Sequence, residues 1–201
     1  HARFYVDGSA GATMEFSDGG NNSADISLKS ITMGGKNAKV EASGFTKYFG
    51  TTGADSVSVS SVADGSASMR RFEYETNGGN DTYRGGAGRD YVHVSGLTSS
   101  SHLNIDGGEG YDTLYFDDQQ ATSLTIDGNG AISQLKVGSQ ISSPSQFSNF
   151  EQYCVDTGAN DTVDASAARS IAAGSMLGIS THEGNDKIVL GDVTLTGGDI
   201  N

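Results

Sequence analysis

Residues 85–93 read GGAGRDYVH, and residues 107–115 read GGEGYDTLY. Both follow one order: glycine, glycine, any, glycine, any, aspartate, any, apolar, any. Three glycines in four positions disfavour a helix and the middle of a strand. Glycine does permit positive φ and a close approach of two backbones, so the run specifies a tight turn. The aspartate closes that turn, and the apolar residue two places on starts a strand with one side chain row inward. A turn and strand that recur at fixed offsets predict stacked units.

Looser copies extend the pattern. Residues 50–58, GTTGADSVS, keep Gly50, Gly53, Asp55 and Val57. Residues 76–84, TNGGNDTYR, keep Gly79, Asp81 and Tyr83 and run directly into the copy at Gly85. Residues 156–164, DTGANDTVD, keep Asp161 and Val163 with alanine at the fourth position. Residues 181–189, THEGNDKIV, keep Gly184, Asp186 and Ile188. A poorer copy, DGGNNSADISL, covers residues 18–28. Only the copies at 76 and 85 are contiguous. The others start about 20 to 50 residues apart, and a vestigial turn at Ile126-Asp127-Gly128-Asn129-Gly130 brings the mean to about 26, a coil-like spacing. Val57 and Val59, Val92 and Val94, Leu114 and Phe116, and Ile188 and Leu190 continue the alternation and predict inward rows.

The chain resembles the RTX family of calcium-binding repeats found in secreted bacterial proteins, through the two full nonamers and the four partial ones. The resemblance implies an all-β fold: a parallel β-helix or β-roll solenoid with irregular coils and interrupted RTX-type repeats. It implies calcium as the cofactor, held between successive turns by carboxylates and backbone carbonyls. Carried over position by position, the metal ligands are Asp55, Asp81, Asp90, Asp112, Asp161 and Asp186, with the carbonyls of Gly85 and Gly107 as main-chain ligands. Six to eight oxygens suit this hard cation. The departure from the first glycine at Thr76, Asp156 and Thr181 weakens the match there.

Composition fits a thin shared core. Apolar residues make up 35%, glycine occurs 29 times, proline once and tryptophan not at all. The formal net charge of -13 makes stacked aspartates repel, so cation binding would contribute to folding free energy. The expectation is a loose chain without calcium and an ordered one with it. The acidity also disfavours a nucleic-acid partner. No transmembrane run or cleavable leader is visible, and the resemblance implies type I secretion to the outside or the cell surface. Partners beyond calcium would be surface polysaccharide or a neighbouring surface protein.

Along the chain, residues 1–49 read as divergent β-rich coils, 50–118 as the repeat core, 119–155 as an irregular insertion holding Pro144, and 156–201 as further coils of one continuous unit. The end, Gly198-Asp199-Ile200-Asn201, reads as the start of another glycine-rich turn. Residues 165–177, ASAARSIAAGSML, are the one stretch whose alanines predict a short helix. Cys154, the only cysteine, reads as a buried free thiol.

Catalytic patterns are sparse. His1, His93, His102 and His182 lack zinc spacing, and His93 reads as a solvated outward residue. Arg70, Arg71, Lys36, Lys39 and Lys47 are the available bases. Asn21-Asn22-Ser23, Asn80-Asp81-Thr82 and Asn160-Asp161-Thr162 match a glycosylation acceptor by overlap with the repeat. No catalytic residue is assigned, and the expected function is a non-catalytic extracellular calcium-binding structural module. A polysaccharide lyase or epimerase is the alternative. Ice binding is a lesser one, because Thr52, Thr82, Thr113 and Thr162 share no single repeat position.

Overall fold

The computed structural model describes residues 3–6, 9–18, 26–42, 47–60, 71–98, 100–117, 120, 122–138, 140–141, 146–155, 157–168, 170–171, 176–191, 194–195 and 199–200. Among them the chain is all-β, in parallel and mixed sheets that close no barrel. The first sheet joins β1 (Arg3–Tyr5), β5 (Lys47–Phe49), β7 (Arg71–Glu75), β9 (Arg89–Val94), β11 (Thr113–Phe116), β16 (Gln152–Val155), β19 (Met176–Thr181) and β22 (Asp199–Ile200). Every neighbouring pair in it is parallel.

The strands between these fall in other sheets. β2 (Ala12–Asp18), β6 (Ser56–Ser60), β8 (Thr82–Arg84), β10 (Asn104–Asp106) and β15 (Gln146–Ser148) form a second parallel run. β3 (Ile26–Met33) and β4 (Lys36–Ala42) extend it antiparallel beyond β2. β12 (Thr122–Ile126), β17 (Thr162–Ala165) and β20 (Lys187–Leu190) form a third parallel run. On the far side of β12 lie the antiparallel β13 (Ile132–Val137) and β14 (Gln140–Ile141). β18 (Ser170–Ile171) and β21 (Thr194–Leu195) pair by themselves.

Register shows why the repeat pattern matters. Arg71 faces Arg89, Tyr91 faces Thr113 and Gln152 faces Gly178, offsets of 18, 22 and 26 residues. Larger offsets accompany the antiparallel excursions β3–β4 and β12–β14. Successive inward rows therefore superpose. Val92 and Leu114 are fully buried beside Tyr153, while Val57, Tyr83 and Ile105 line the opposing sheet. Aromatic rings fill the space between: Phe16 packs on Tyr48 and Phe72 at 4.7 and 4.8 Å, and Tyr74 stacks on Tyr83 at 5.7 Å. Ring pairs of this kind add about 0.5–1.5 kcal/mol to the area they bury.

Several sequence expectations need correction. The alanine-rich stretch 165–177 is no helix over its described residues. Ala165 ends β17 with its side chain buried, Ala168 is buried beyond the turn, and Ser170–Ile171 and Met176 onward are strands. Packing of these small side chains into the core outweighs helix propensity. Ile126–Gly130 is not a stacked turn. It joins the antiparallel strands β12 and β13, and Asp127 Oδ1 accepts the amides of Asn129 and Ala131. Ile188 and Leu190 keep the inward register opposite Val163 and Ala165, yet are 43% and 52% exposed, because β20 is the last strand of its sheet. The copy at 18–28 lies largely outside the described residues, as do Asp156, Arg70, Pro144 and the acceptor at Asn21.

Candidate cation-binding turns

The turn aspartates line up across neighbouring strands, and Asp55, Asp81, Asp112, Asp161 and Asp186 each accept an amide from the neighbouring turn. Entering the second sheet, Ala12 N donates to Asp55 Oδ1 (2.7 Å) and Asp55 N to Asp81 Oδ1 (2.8 Å). Entering the third, Thr122 N donates to Asp161 Oδ1 (2.7 Å) and Asp161 N to Asp186 Oδ1 (3.0 Å). Entering the first sheet, Asp90 N donates to Asp112 Oδ1 (2.8 Å) and Asp112 N to Glu151 Oε2 (2.8 Å). These amides lie where the ladder of one sheet ends, and each buried donor needs an acceptor. The asparagines just before the aspartates run a second row: Asn80 Oδ1 accepts His102 N and Asn160 Oδ1 accepts Asn185 N, both at 2.8 Å.

The carboxylates differ in what remains unbonded. Asp81 and Asp112 are 1% and 0% exposed, and the Oδ2 of each has no hydrogen-bond partner. Burial pushes the pKa of Asp81 up to about 8, with Asp55 adding repulsion and the Asp55 amide partly offsetting it. Burial likewise raises Asp112 to about 8, offset by the Asp90 amide and reinforced by Asp90, Glu151 and Asp106. Asp90 is raised to about 6 by burial, moderated by the Gly86 amide, which donates to its Oδ2 at 3.0 Å, and by the neighbouring Tyr83 hydroxyl. A buried carboxylate with an idle oxygen is held by a proton or by a cation.

Glycine makes room at these turns. A Cβ on Gly85 would collide with the Gly107 carbonyl oxygen and with Asp90 Oδ2. A Cβ on Gly107 would collide with the Asn149 carbonyl oxygen and stand 2.9 Å from Asp112 Oδ2. At each position a carboxylate oxygen and a carbonyl oxygen from the neighbouring turn face the same small space. Among the described residues no three His, Cys, Asp or Glu side chains form a metal-holding group. An ion here would draw its remaining oxygens from the backbone, as calcium does in glycine-rich loops.

Of the residues expected to bind metal, Asp90, Asp112, Gly85 and Gly107 come together in the turns before β9 and β11, and Asp81 stands before β8. The Gly107 carbonyl faces Asp90, whereas the Gly85 carbonyl oxygen lies 3.0 Å from the place a Cβ on Gly108 would take. Asp55 and Asp161 are enclosed by protein donors. Asp186 is half-buried at the last strand of its sheet.

Sequence reasoning missed Glu151 and Asn149. The register sets Asp106 beside Ser148 and Thr113 beside Gln152, so Asn149 and Glu151 occupy the places of Gly107 and Asp112. Asn149 has a positive φ, 57°, and its side-chain amide donates to Asp106 Oδ1 at 2.7 Å. The local pattern, an asparagine two residues before an acid, singles out nothing until the register aligns it with Gly107 and Asp112.

A second polar cluster lies on the outer face of the first sheet. His93 is not solvated: its side chain is 12% exposed, its ring stacks on Tyr115 at 4.5 Å, and Nδ1 meets Asp117 Oδ2. Nε2 lies 3.2 Å from Glu73 Oε1 as an ion-pair contact, without hydrogen-bond alignment. Burial alone would lower the pKa of His93, but Asp117 and Glu73 outweigh it and raise it. Lys47 reaches Glu75 at 2.9 Å and Glu73 at 3.6 Å. Cys154, buried and in no disulfide, lies opposite Tyr115 in the same sheet.

Compared with known proteins, the chain matches no family model, no curated protein and no solved structure. No helix among the described residues is long and apolar enough to cross a membrane.

Proposed function

We propose that this chain is a calcium-ordered structural module of the RTX type, an extracellular β-solenoid whose turns are tied together by bound ions. The observation that carries this reading is the idle, fully buried Oδ2 of Asp112 facing the Asn149 carbonyl beside Gly107. Asp81 Oδ2 repeats the feature at another turn. Asp112 and Asp90, with the carbonyls of Asn149 and Gly107, would hold calcium before β11 and β9, and Asp81 would contribute before β8. The ion would neutralise carboxylates that otherwise need protons, so its binding free energy adds to folding. The alternation of strands between sheets supports a solenoid, since each strand of the first sheet is followed by one in another sheet before the chain returns.

The role that follows is mechanical: a secreted or cell-surface segment that stays loose where calcium is scarce and stiffens where it is plentiful. Circular dichroism and thermal melting of protein stripped of divalent ions, before and after millimolar calcium, test it. The expected result is a gain of β signal and a higher melting temperature, with magnesium much less effective. Identical spectra and melting temperatures would sink the reading.

A polysaccharide-modifying reading draws on Lys47, Tyr115, His93 and Asp117, which share one outer face. It is the weaker one, because both ring nitrogens of His93 are already engaged by carboxylates. Turnover of acidic polysaccharides, abolished by His93→Ala, would restore it.

A further inference from the structure

The turn aspartates fall into two chemical classes, separated by the residue four places earlier. Before Asp55 it is Thr51. Its amide donates to Asp55 Oδ2 (2.7 Å) and its hydroxyl to Oδ1 (2.8 Å). Ala12 N and the Tyr74 hydroxyl (3.3 Å) complete the shell, so both oxygens of Asp55 are bonded twice. Before Asp161 it is Thr157, whose hydroxyl lies 2.8 Å from both carboxylate oxygens, with Thr122 N on Oδ1. In both turns the threonine Oγ1 also accepts an amide two residues on, from Gly53 at 3.0 Å and Ala159 at 3.2 Å. One geometry thus recurs at two distant places in the chain.

The other turns have no hydroxyl there. Asn77 precedes Asp81, Gly86 precedes Asp90 and Gly108 precedes Asp112. Asn77 and Gly108 have positive φ, 61° and 94°. Only in this class does a buried carboxylate oxygen lack a partner, at Asp81 and Asp112. A threonine brings a hydroxyl to the carboxylate. A glycine or asparagine in that place leaves the space and the charge for something else.

We infer that Thr51 and Thr157 replace the ion, so that of these five turns those of Asp55 and Asp161 close without calcium and those of Asp81, Asp90 and Asp112 take the ions. This rests on the calcium reading above. Two turns of the stack are then ordered before any ion binds, and calcium completes the stretch between them. The chain would respond to calcium by extending existing order rather than by folding from nothing.

Amide hydrogen exchange on the wild-type chain, stripped and then calcium-loaded, tests this without any variant. The amides of Ala12, Thr51 and Thr122 should change protection by less than about twofold, and those of Gly86 and Asp90 by more than about tenfold. Ion content after equilibrium dialysis adds a second readout. Asp55→Asn and Asp161→Asn should retain the wild-type content, while Asp81→Asn and Asp112→Asn each lose calcium. Thr51→Gly should make the Ala12 amide calcium-dependent, and Thr51→Ser should not. If wild type takes up no calcium, the calcium reading itself fails. If wild type binds calcium but Thr51 and Thr122 amides need it for protection, or Asp55→Asn loses as much as Asp112→Asn, only the division into two classes fails. Should Asp55→Asn not fold, the wild-type exchange pattern decides.

Discussion

Replacing Asp112 by asparagine should change stability in opposite directions with and without calcium. In the ion-free fold the Asp112 side chain is fully buried, accepts one amide, and has a pKa near 8 against an ordinary 3.8. Between those two values the folded chain keeps a proton that the unfolded chain has released. The contribution of Asp112 to ion-free stability therefore falls as pH rises from about 4 to about 8, and is level on either side. At about 1.36 kcal/mol per pH unit the full difference would approach roughly 5–6 kcal/mol. Water reaching the turn and local relaxation cut this to roughly 2–3 kcal/mol. Asparagine keeps the Oδ1 acceptor for Asp90, cannot ionise, and turns its amide toward the Asn149 carbonyl. Asp112→Asn should thus be more stable than wild type by about 2 kcal/mol at pH 8 without ions, and near equal to it below pH 5. In calcium the order reverses, because the variant gives up a ligand. Urea denaturation followed by circular dichroism at both pH values reads this. Resin-stripped protein is needed, since soluble chelators weaken in acid. A variant less stable than wild type at pH 8 without ions, or a wild type whose ion-free stability is flat with pH, refutes the reasoning.

Other consequences are checked by similar means. Gly110→Ala and Gly130→Ala both strain a positive φ (134° and 86°), but only a Cβ on Gly110 meets backbone, the Gly88 carbonyl. Urea unfolding should show about 1 kcal/mol lost at Gly130 and more than about 2 kcal/mol at Gly110. Leu124→Ala, in a buried row, should cost about 2–5 kcal/mol, whereas Ile188→Ala, in the same row but exposed, should cost under about 1 kcal/mol. The raised pKa of His93 means its contribution is complete below the ordinary value of 6.5 and is lost as pH rises through the folded value. His93→Gln should therefore lower stability by about 1 kcal/mol at pH 6 and little at pH 9, read by thermal melts in calcium.

The repeat made the parallel pairing legible, because glycine, aspartate and an alternating strand are dictated by local chemistry. The same pattern singled out Asp90, Asp112, Gly85 and Gly107, which the structure brings together in the turns before β9 and β11. Glu151 and Asn149 were not, since nothing local marks an asparagine as the stand-in for a glycine until the register of β11 and β16 aligns them. Thr51 and Thr157 were hidden for a related reason: their role depends on a hydroxyl reaching back across one turn. The stretch 165–177 misled because propensity is weak beside burial, and Ala165 and Ala168 are small enough to pack under neighbouring strands. His93 misled because an outward position on one strand can still be enclosed by Tyr115, Asp117 and Glu73 from its neighbours.

The most direct test is crystallographic: diffraction from crystals grown in calcium, with anomalous differences used to place ions. Peaks should stand between Asp112 Oδ2 and the Asn149 carbonyl, and between Asp90 Oδ2 and the Gly107 carbonyl, with oxygens at about 2.3–2.6 Å. The carboxylates of Asp55 and Asp161 should carry none. A map with water or nothing beside Asp90 and Asp112 at saturating calcium would contradict the ion-tied solenoid.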